Sequence, residues 1–166
     1  LMAAGIRAED EVIVPPYTFI STASAVVEAN AIPVFADVDL KTFNLDPAAV
    51  ESAITPRTRA IIPVHFAGQP AEMDAIVEIA RARNLVVIED AAHAIGTKYQ
   101  GRLLGSFGDL VAFSFHPNKN MTTIEGGAIV TADESVLPAI DQMRFHGIRK
   151  NADGEIDVFM AGSKTN

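Results

Sequence analysis

The sequence predicts an α/β fold of three layers (αβα), in which helices cover both faces of a mostly parallel sheet. Short apolar runs recur along the 166 residues, and they are continuous rather than alternating. Continuous runs of this length are typical of strands that are buried on both faces. Helical patterns separate most of the runs, which favours parallel strands joined by helices. The runs cover residues 12–14, 34–36, 60–62, 85–88, 110–113 and 128–130.

Capping residues and apolar spacing predict the helices. A helix over residues 21–29 follows the first apolar run. Asp46 and Pro47 begin a helix that extends to Ile54, because Asp is a favoured N-cap and Pro fits the first helical position. The clearest helix is predicted over residues 71–83, where apolar side chains recur at the spacing of one helical face.

The last two apolar runs, at residues 110–113 and 128–130, differ from the others. The segment between them is rich in polar and turn residues and has no helical stripe. Parallel neighbours need a long crossover that is usually helical, so we expect this pair of strands to be antiparallel. A closing helix is predicted over residues 133–145.

Charge and composition exclude several classes of function. The formal net charge is −8, from 13 basic and 21 acidic residues, whereas a nucleic-acid-binding protein needs a basic face. The sequence has no cysteine, so it forms neither disulfides nor a cysteine zinc site. No apolar run approaches the roughly 20 residues that cross a bilayer. We therefore expect a cytoplasmic protein that binds small molecules and neither nucleic acid nor membrane.

Two carboxylates and a histidine follow the apolar run at residues 85–88. Ligands of open α/β sheets bind where the parallel strands end, so Asp90 is placed to project into a cleft. Taken alone, Asp90 also fits a loop acid or a helix cap. A metal site is a further alternative, but the spacing matches no known zinc motif, and we predict no metal. Its ligands would be Glu89, Asp90, His93 and either His65 or His116.

A lone lysine follows the apolar run at residues 110–113. Lys119 belongs to the segment Phe113-Ser114-Phe115-His116-Pro117-Asn118-Lys119-Asn120, directly after a predicted core strand. Most lysines are solvated, so a surface loop lysine is the alternative interpretation. The paired glycines Gly126 and Gly127 allow the backbone to bend or to approach another group closely.

The loop after the first apolar run carries an aromatic residue, Phe19. A packed core aromatic is the alternative interpretation. Together with Asp90 and Lys119, an aromatic ring at a strand end completes a set that suits pyridoxal 5'-phosphate (PLP). A lysine amine forms an imine with the PLP aldehyde, a carboxylate keeps the pyridine nitrogen protonated, and an aromatic face stacks on the ring.

Three motifs stand out at the predicted strand ends: Pro16–Thr22, Glu89–Ala94, and Phe113–Asn120 followed by Glu125–Gly127. They resemble the DegT/DnrJ/EryC1/StrS family of PLP-dependent sugar aminotransferases, and the similarity extends over about residues 8–166. The resemblance implies the major domain of a fold-type I PLP-dependent transferase, similar to aspartate aminotransferase. It also implies transfer of an amino group from an amino acid, with glutamate as the expected donor, to a nucleotide-linked keto-sugar.

The resemblance further implies a role for each matching residue. Lys119 matches the lysine that forms the Schiff base with PLP and, once freed, acts as general base. Asp90 matches the acid that pairs with the pyridine nitrogen. His93 matches a position beside the ring, Ser114 a hydroxyl that contacts the phosphate, and Phe19 the aromatic that stacks on the ring.

The sequence also departs from the family pattern. Asn166 matches an asparagine that reaches the cofactor phosphate of the partner subunit in a homodimer, but Ser163 and Thr165 beside it are aromatic in the usual pattern. Ile124 stands where glycine is common. We expect residues 1–166 to be a single PLP-binding domain, truncated at its N-terminus. It would lack the upstream Gly-Thr-Ala loop that cradles the phosphate, and the C-terminal small domain.

Other functions fit parts of the same sequence. A sugar dehydratase of this family has histidine in place of the lysine, so Lys119 argues against it. A domain that binds PLP without turnover, as a regulatory or degenerate copy, fits the same residues. A doubly wound nucleotide-binding domain needs Gly-x-Gly-x-x-Gly after a strand, and the sequence lacks this motif.

Overall fold

A computed structural model describes residues 1–150, 153–154 and 156–158 of the chain. They belong to two compact units, Leu1–Ala132 and Asp133–Asn166. The first unit contains a six-stranded sheet, and the described part of the second contains an antiparallel pair of strands. The extent of a single domain over residues 1–166 stays a prediction.

The strands of the six-stranded sheet lie where the apolar runs predict them. A short hairpin after the fourth strand was not predicted, because its two-residue strands are too short to leave a pattern. In chain order the strands are β1 Glu11–Val14, β2 Ile32–Phe35, β3 Thr58–Ile61, β4 Val86–Asp90, β5 Lys98–Tyr99, β6 Arg102–Leu103, β7 Leu110–Ser114, β8 Gly127–Thr131, β9 Ile148–Lys150 and β10 Ile156–Val158.

The strand order of the main sheet is β2-β1-β3-β4-β7-β8. In this order, the neighbouring pairs β2-β1, β1-β3, β3-β4 and β4-β7 are all parallel. β8 is antiparallel to β7, with Leu110 opposite Thr131 and Ser114 opposite Gly127. The mostly parallel sheet and its antiparallel last pair are thus confirmed.

The helices also agree with the sequence pattern, with small shifts at their ends. Asp46 caps the second helix, since its Oδ1 accepts a hydrogen bond of 3.0 Å from the amide of Ala48. The closing helix is divided into a 3-10 turn and an α-helix, and Pro138 in its first turn has no N–H to leave unpaired. The α-helices are α1 Ser21–Glu28, α2 Pro47–Ala53, α3 Met73–Arg83 and α4 Leu137–Arg144, and the 3-10 helices are Met2–Ala4, Phe66–Gly68 and Glu134–Val136.

Two hydrophobic clusters cover the two faces of the main sheet, which gives the predicted three layers. Alternate residues of a strand point to opposite faces, and β1 follows this rule. Val12 and Val14 pack in the cluster that includes Val26 of α1. Ile13 packs in the cluster that includes side chains of α2 and α3, among them Met73.

Burial on both faces holds for the centre of the sheet but not for its edges. All four residues of β1 are buried. In contrast, Phe35 of β2 and Ile129 of β8 are more than half exposed. These two strands are the ends of the strand order, where a side chain has neighbours on one side only. Within residues 1–166, β2 and β8 are therefore less buried than their continuous apolar runs predict.

Candidate active site

A cavity of about 800 Å³ opens at the carboxyl edge of the main sheet, beside α1. Its volume lies within the range of about 300–1,000 Å³ that is usual for small-molecule sites. The loops after β1, β3, β4 and β7 contribute to its wall. The lining includes five residues that were predicted from the sequence: Phe19, Asp90, His93, Ser114 and Lys119.

Asp90 is the last residue of β4, and its carboxylate has a defined orientation. Thr22 donates a hydrogen bond of 2.9 Å from Oγ1 to Asp90 Oδ2. The amide of Ala92 donates a hydrogen bond of 3.2 Å to Oδ1. The backbone is fixed as well, because the Asp90 amide donates to Pro63 and its carbonyl accepts from His65. Each carboxylate oxygen thus has one protein donor and keeps acceptor capacity for a ligand.

Lys119 lies in the loop after β7, and its side chain is half-buried in the cavity wall. The Lys119 amide donates a hydrogen bond of 2.9 Å to the carbonyl of His116. Among the described residues the ammonium group forms no ion pair. The neighbouring Asn120 donates from Nδ2 to the carbonyl of His93 over 3.3 Å, which connects the lysine loop with the loop after β4. The interpretation of Lys119 as a fully solvated surface lysine does not fit this position.

His93 interacts electrostatically with both Asp90 and Lys119. Partial burial of the ring lowers the pKa of His93 below its ordinary value of 6.5, and the positive charge of Lys119 lowers it further. The carboxylate of Asp90 acts in the opposite direction but does not reverse the shift. His93 is therefore neutral at neutral pH, with one ring nitrogen as donor and the other as acceptor.

Phe19 and Ser114 complete the predicted set. Phe19 is 72% exposed and lines the cavity, so it is not a packed core aromatic. Ser114 is the last residue of β7, and its Oγ lies 3.4 Å from the amide of His116. Asn166, together with the segment 162–166 around it, lies outside the described residues.

The loop between β7 and β8 contains a strained residue. Ile124 has φ of +73° and is 77% exposed. A β-branched side chain rarely adopts this left-handed conformation, which costs roughly 1–2 kcal/mol. The conformation explains why glycine suits this position in the family pattern. Gly126 also has positive φ, and a Cβ on Gly127 would lie 2.9 Å from the carbonyl oxygen of Phe113, so both positions use the freedom of glycine.

Glu89 has a structural environment that the sequence did not reveal. Its side chain is fully buried, and Oε2 lies 3.0 Å from Nε2 of the equally buried His65. Three amides of the loop before β7 also donate to it, at 3.2, 3.2 and 2.6 Å from Gly105, Phe107 and Gly108. Burial raises the pKa of Glu89, but the hydrogen bonds from His65 and these amides outweigh burial, so the pKa is lowered overall.

The ring of His65 has a single tautomer in this arrangement. The amide of Ala71 donates a hydrogen bond of 3.1 Å to Nδ1, so that nitrogen carries no proton. Nε2 therefore carries the proton and donates it to Glu89. A buried histidine and a buried glutamate thus satisfy each other, and neither has capacity left for a metal. Within the part of the chain that the structure describes, no group of three or more His, Asp or Glu side chains could hold a metal ion.

Asn44 is a second buried anchor that sequence reasoning missed. Its Nδ2 donates to the carbonyls of Gln69 and Pro70 at 3.1 and 2.9 Å, and its Oδ1 accepts from the amide of Phe66 at 2.9 Å. Phe66 lines the cavity, so Asn44 fixes the part of the wall that follows β3. A lone asparagine in a loop leaves no pattern in the sequence that would distinguish this role.

The sequence matches the family described as the DegT/DnrJ/EryC1/StrS aminotransferase family over residues 1–166. The chain belongs to this family. GDP-perosamine synthase of Caulobacter vibrioides is 50% identical over 151 residues, which are 91% of this chain and 41% of that protein. The pleiotropic regulatory protein of Geobacillus stearothermophilus is 49% identical over 148 residues, which are 89% of this chain and 40% of that protein.

A solved structure has the same fold as this chain. The structure of NtdA from Bacillus subtilis with bound cofactor PMP superposes with a TM-score of 0.89 at 37% sequence identity. The match covers 98% of this chain and 36% of NtdA. The α/β fold with three layers, of fold type I, is thereby confirmed. The described residues form no helix that is long and apolar enough to cross a bilayer.

Proposed function

We propose that the protein that contains this chain is a PLP-dependent aminotransferase that moves an amino group from an amino acid to a keto-sugar. The observation that carries the proposal is that Lys119 and Asp90, from the ends of two neighbouring strands, line one cavity together with Phe19. The 50% identity to GDP-perosamine synthase supports a sugar as the acceptor, and the name of that relative supports a nucleotide-linked one. Glutamate as the amino donor rests on the resemblance to the family alone.

The residues around the cavity fit PLP. The cofactor needs an amine for its aldehyde, an anionic acceptor for its ring nitrogen and a flat apolar surface. Lys119, Asp90 and Phe19 offer these three groups. Phe19 is 72% exposed at the cavity wall, so its ring is available to contact a ligand. NtdA, whose structure contains PMP, supports the same cofactor.

Each residue then has a task that follows from its chemistry. Bound PLP supplies an aldehyde carbon that condenses with amines and a ring that withdraws electrons. Lys119 is the amine that holds the cofactor, and once released it is the base that moves a proton at the α-carbon of the donor. Asp90 accepts a hydrogen bond from the protonated ring nitrogen. As the resemblance implies, Ser114 would contact the phosphate, and the neutral His93 would lie beside the ring.

The proposal extends to the assembly and location of the protein. We propose a homodimer in which Asn166 reaches the cofactor phosphate of the partner subunit, as the resemblance implies. We also propose a cytoplasmic location, which the lack of cysteine supports. Sedimentation of wild type and of an Asn166→Ala variant tests for the dimer, which should persist in both. A titration with PLP tests the contact, since the variant should bind the cofactor more weakly.

The decisive experiment replaces the lysine in the full encoded polypeptide. Wild type mixed with PLP should show a visible absorption band that borohydride reduction converts into a stable adduct on the peptide that contains residue 119. Lys119→Ala should abolish the band, the adduct and amine transfer from glutamate. Lys98→Ala, which removes an exposed lysine of β5, should change none of these. An adduct that survives in Lys119→Ala would falsify the lysine assignment.

A second function is favoured by one observation. The regulatory protein of Geobacillus stearothermophilus is 49% identical to this chain, so a member of the family that binds PLP without turnover is the other candidate. The same experiment separates the two candidates. A regulatory protein would form the borohydride-stable adduct on Lys119 but would not convert glutamate to its keto acid when a range of nucleotide-linked keto-sugars is supplied.

A further inference from the structure

Two threonine hydroxyls form a chain that ends on the Asp90 carboxylate. Thr22, in the first turn of α1, is 6% exposed, and its Oγ1 lies 2.9 Å from Asp90 Oδ2. Thr18 lies one turn earlier, and its Oγ1 lies 2.8 Å from Thr22 Oγ1. Both threonines line the cavity. The hydroxyls therefore belong to the wall of the site, although no role was predicted for them.

The direction of this chain follows from the number of protons available. An ionised carboxylate accepts hydrogen bonds and donates none. Thr22 has a single hydroxyl proton, which it donates to Asp90. The oxygen of Thr22 can then only accept from its other neighbour, so Thr18 is the donor in the second bond. The chain runs from Thr18 to Thr22 to Asp90, and hydrogen bonds in such a series strengthen one another.

We propose that Thr22 is a positioning residue for Asp90 and that Thr18 holds Thr22 in its donating orientation. The inference rests on the proposed function, in which Asp90 accepts a hydrogen bond from the PLP ring nitrogen. Thr22 on Oδ2 and the Ala92 amide on Oδ1 fix the rotation of the carboxylate. Its remaining acceptor sites are then held toward the cavity. Without Thr22, the carboxylate group is free to rotate, which would turn an oxygen toward water or toward Lys119.

The same hydroxyl chain connects Asp90 with the loop that carries Phe19. Thr18 precedes Phe19, and the amide of Thr22 donates a hydrogen bond of 3.1 Å to the carbonyl of Phe19. The carboxylate and the aromatic ring are the two groups proposed to contact the cofactor ring, at its nitrogen and at its face. Thr18 and Thr22 thus hold both groups in one hydrogen-bonded unit.

The experiment compares PLP with a probe that lacks the atom in question. Deaza-pyridoxal phosphate has C–H in place of the ring nitrogen, so it offers nothing for Asp90 to accept. Dissociation constants of both compounds are measured by fluorescence titration of the full encoded polypeptide and its variants. Thr22→Val keeps the branched shape and removes the hydroxyl, whereas Thr22→Ser keeps the hydroxyl. Ser24→Ala is the matched control, because Ser24 lies in the same helix and its hydroxyl donates to the carbonyl of Ile20.

The expected result is a loss that depends on the ring nitrogen. Thr22→Val should bind PLP about tenfold more weakly than wild type, since a hydrogen bond to a charged group is at stake. Its affinity for the deaza compound should stay the same, Thr22→Ser should restore PLP binding, and Ser24→Ala should change neither affinity. Thr18→Val should cause a smaller loss with the same selectivity, and it carries the test if Thr22→Val does not fold.

Two outcomes overturn the inference, and a third concerns the proposed function instead. Equal weakening of both compounds by Thr22→Val means that the hydroxyl only supports the loop. Unchanged affinity for both compounds means that Asp90 does not need Thr22. If Asp90→Asn weakens PLP and the deaza compound equally, or weakens neither, the role of Asp90 in the proposed function is wrong.

Discussion

Glu89 and Asp90 are adjacent carboxylates of β4 that face opposite sides of the main sheet. Glu89 points to the side of α3 and the short hairpin, where it receives hydrogen bonds from His65 and from three backbone amides. Asp90 points to the side of α1, where Thr22 and the amide of Ala92 are its donors. An ionised carboxylate has about four acceptor sites. Glu89 has filled them, whereas Asp90 keeps about half for a ligand.

This difference distinguishes a structural acid from a candidate catalytic one. The four donors make Glu89 a buried anchor that attaches the 105–108 loop to β4. Gly108 makes this attachment possible, because a Cβ there would lie 2.9 Å from the carbonyl oxygen of Val87 and 3.2 Å from the Glu89 side chain. Asp90, with spare acceptor capacity at a cavity wall, is suited to bind rather than to support. The comparison predicts that substitution of Asp90 lowers activity, whereas substitution of Glu89 lowers stability.

The largest expected effect is on activity and comes from Asp90. Asp90→Asn should lower the rate of amine transfer by roughly a hundredfold to a thousandfold, because a neutral amide cannot stabilise positive charge on the ring nitrogen. The midpoint of urea unfolding should stay close to that of wild type. Steady-state rates with glutamate and a keto-sugar, together with an unfolding curve, check both statements. A large drop in the unfolding midpoint would mean that Asp90, like Glu89, is a structural acid.

The next effect is on stability and comes from Glu89. Glu89→Gln should lower the free energy of unfolding by about 3 kcal/mol. The new side-chain NH2 group would face the N–H groups that donate to Glu89, in a fully buried position. Glu78→Gln on the exposed face of α3 is the matched control and should stay within about 0.5 kcal/mol of wild type. Urea titration of the full encoded polypeptide measures both. A loss as small as that of Glu78→Gln would contradict the role of Glu89 as an anchor.

The stability effect of Glu89 should also depend on pH. The pKa of Glu89 is lowered from its ordinary value of 4.5, so the folded protein binds the proton less readily than the unfolded chain does. The contribution of this carboxylate is fully present above about pH 4.5 and is lost as the pH falls through its lowered pKa. The difference in unfolding free energy between wild type and Glu89→Gln should therefore shrink below pH 4.5. A difference that is constant from pH 7 to pH 3 would show that the carboxylate charge is not involved.

The sequence predicted the sheet and the helices well, because these depend on local patterns. Continuous apolar runs mark β1, β3 and β4, and the strand ends then bring Asp90 and Lys119 to one edge. The distinction between Glu89 and Asp90 could not be predicted in the same way. It depends on the alternation of side chains along β4 and on contacts with residues as far away as His65 and Gly108. Glu89 and His65, two of the residues considered as metal ligands, instead form a buried hydrogen-bonded pair.

Hydroxyl partners were missed for a related reason. Thr22 and Asp90 are 68 residues apart in the sequence, so no spacing rule connects the two. Asn44 is likewise a single polar residue whose three hydrogen bonds all lead to a segment more than 20 residues later. Buried polar residues of this kind become visible only when the backbone groups that they satisfy are in place.

The smallest expected effect is a shift in the titration of His93, and it tests the comparison without any ligand. Asp90→Asn should lower the pKa of His93 further, because the carboxylate is the group that raises it. Lys119→Met should move it upward, because that change removes a positive charge. Glu89→Gln should leave it unchanged, since Glu89 faces the other side of the sheet. Ring-proton NMR titrations of the four proteins measure these shifts. If Glu89→Gln lowered the pKa of His93 as much as Asp90→Asn does, the two carboxylates would share one electrostatic environment, and the contrast between them would be one of hydrogen bonding alone.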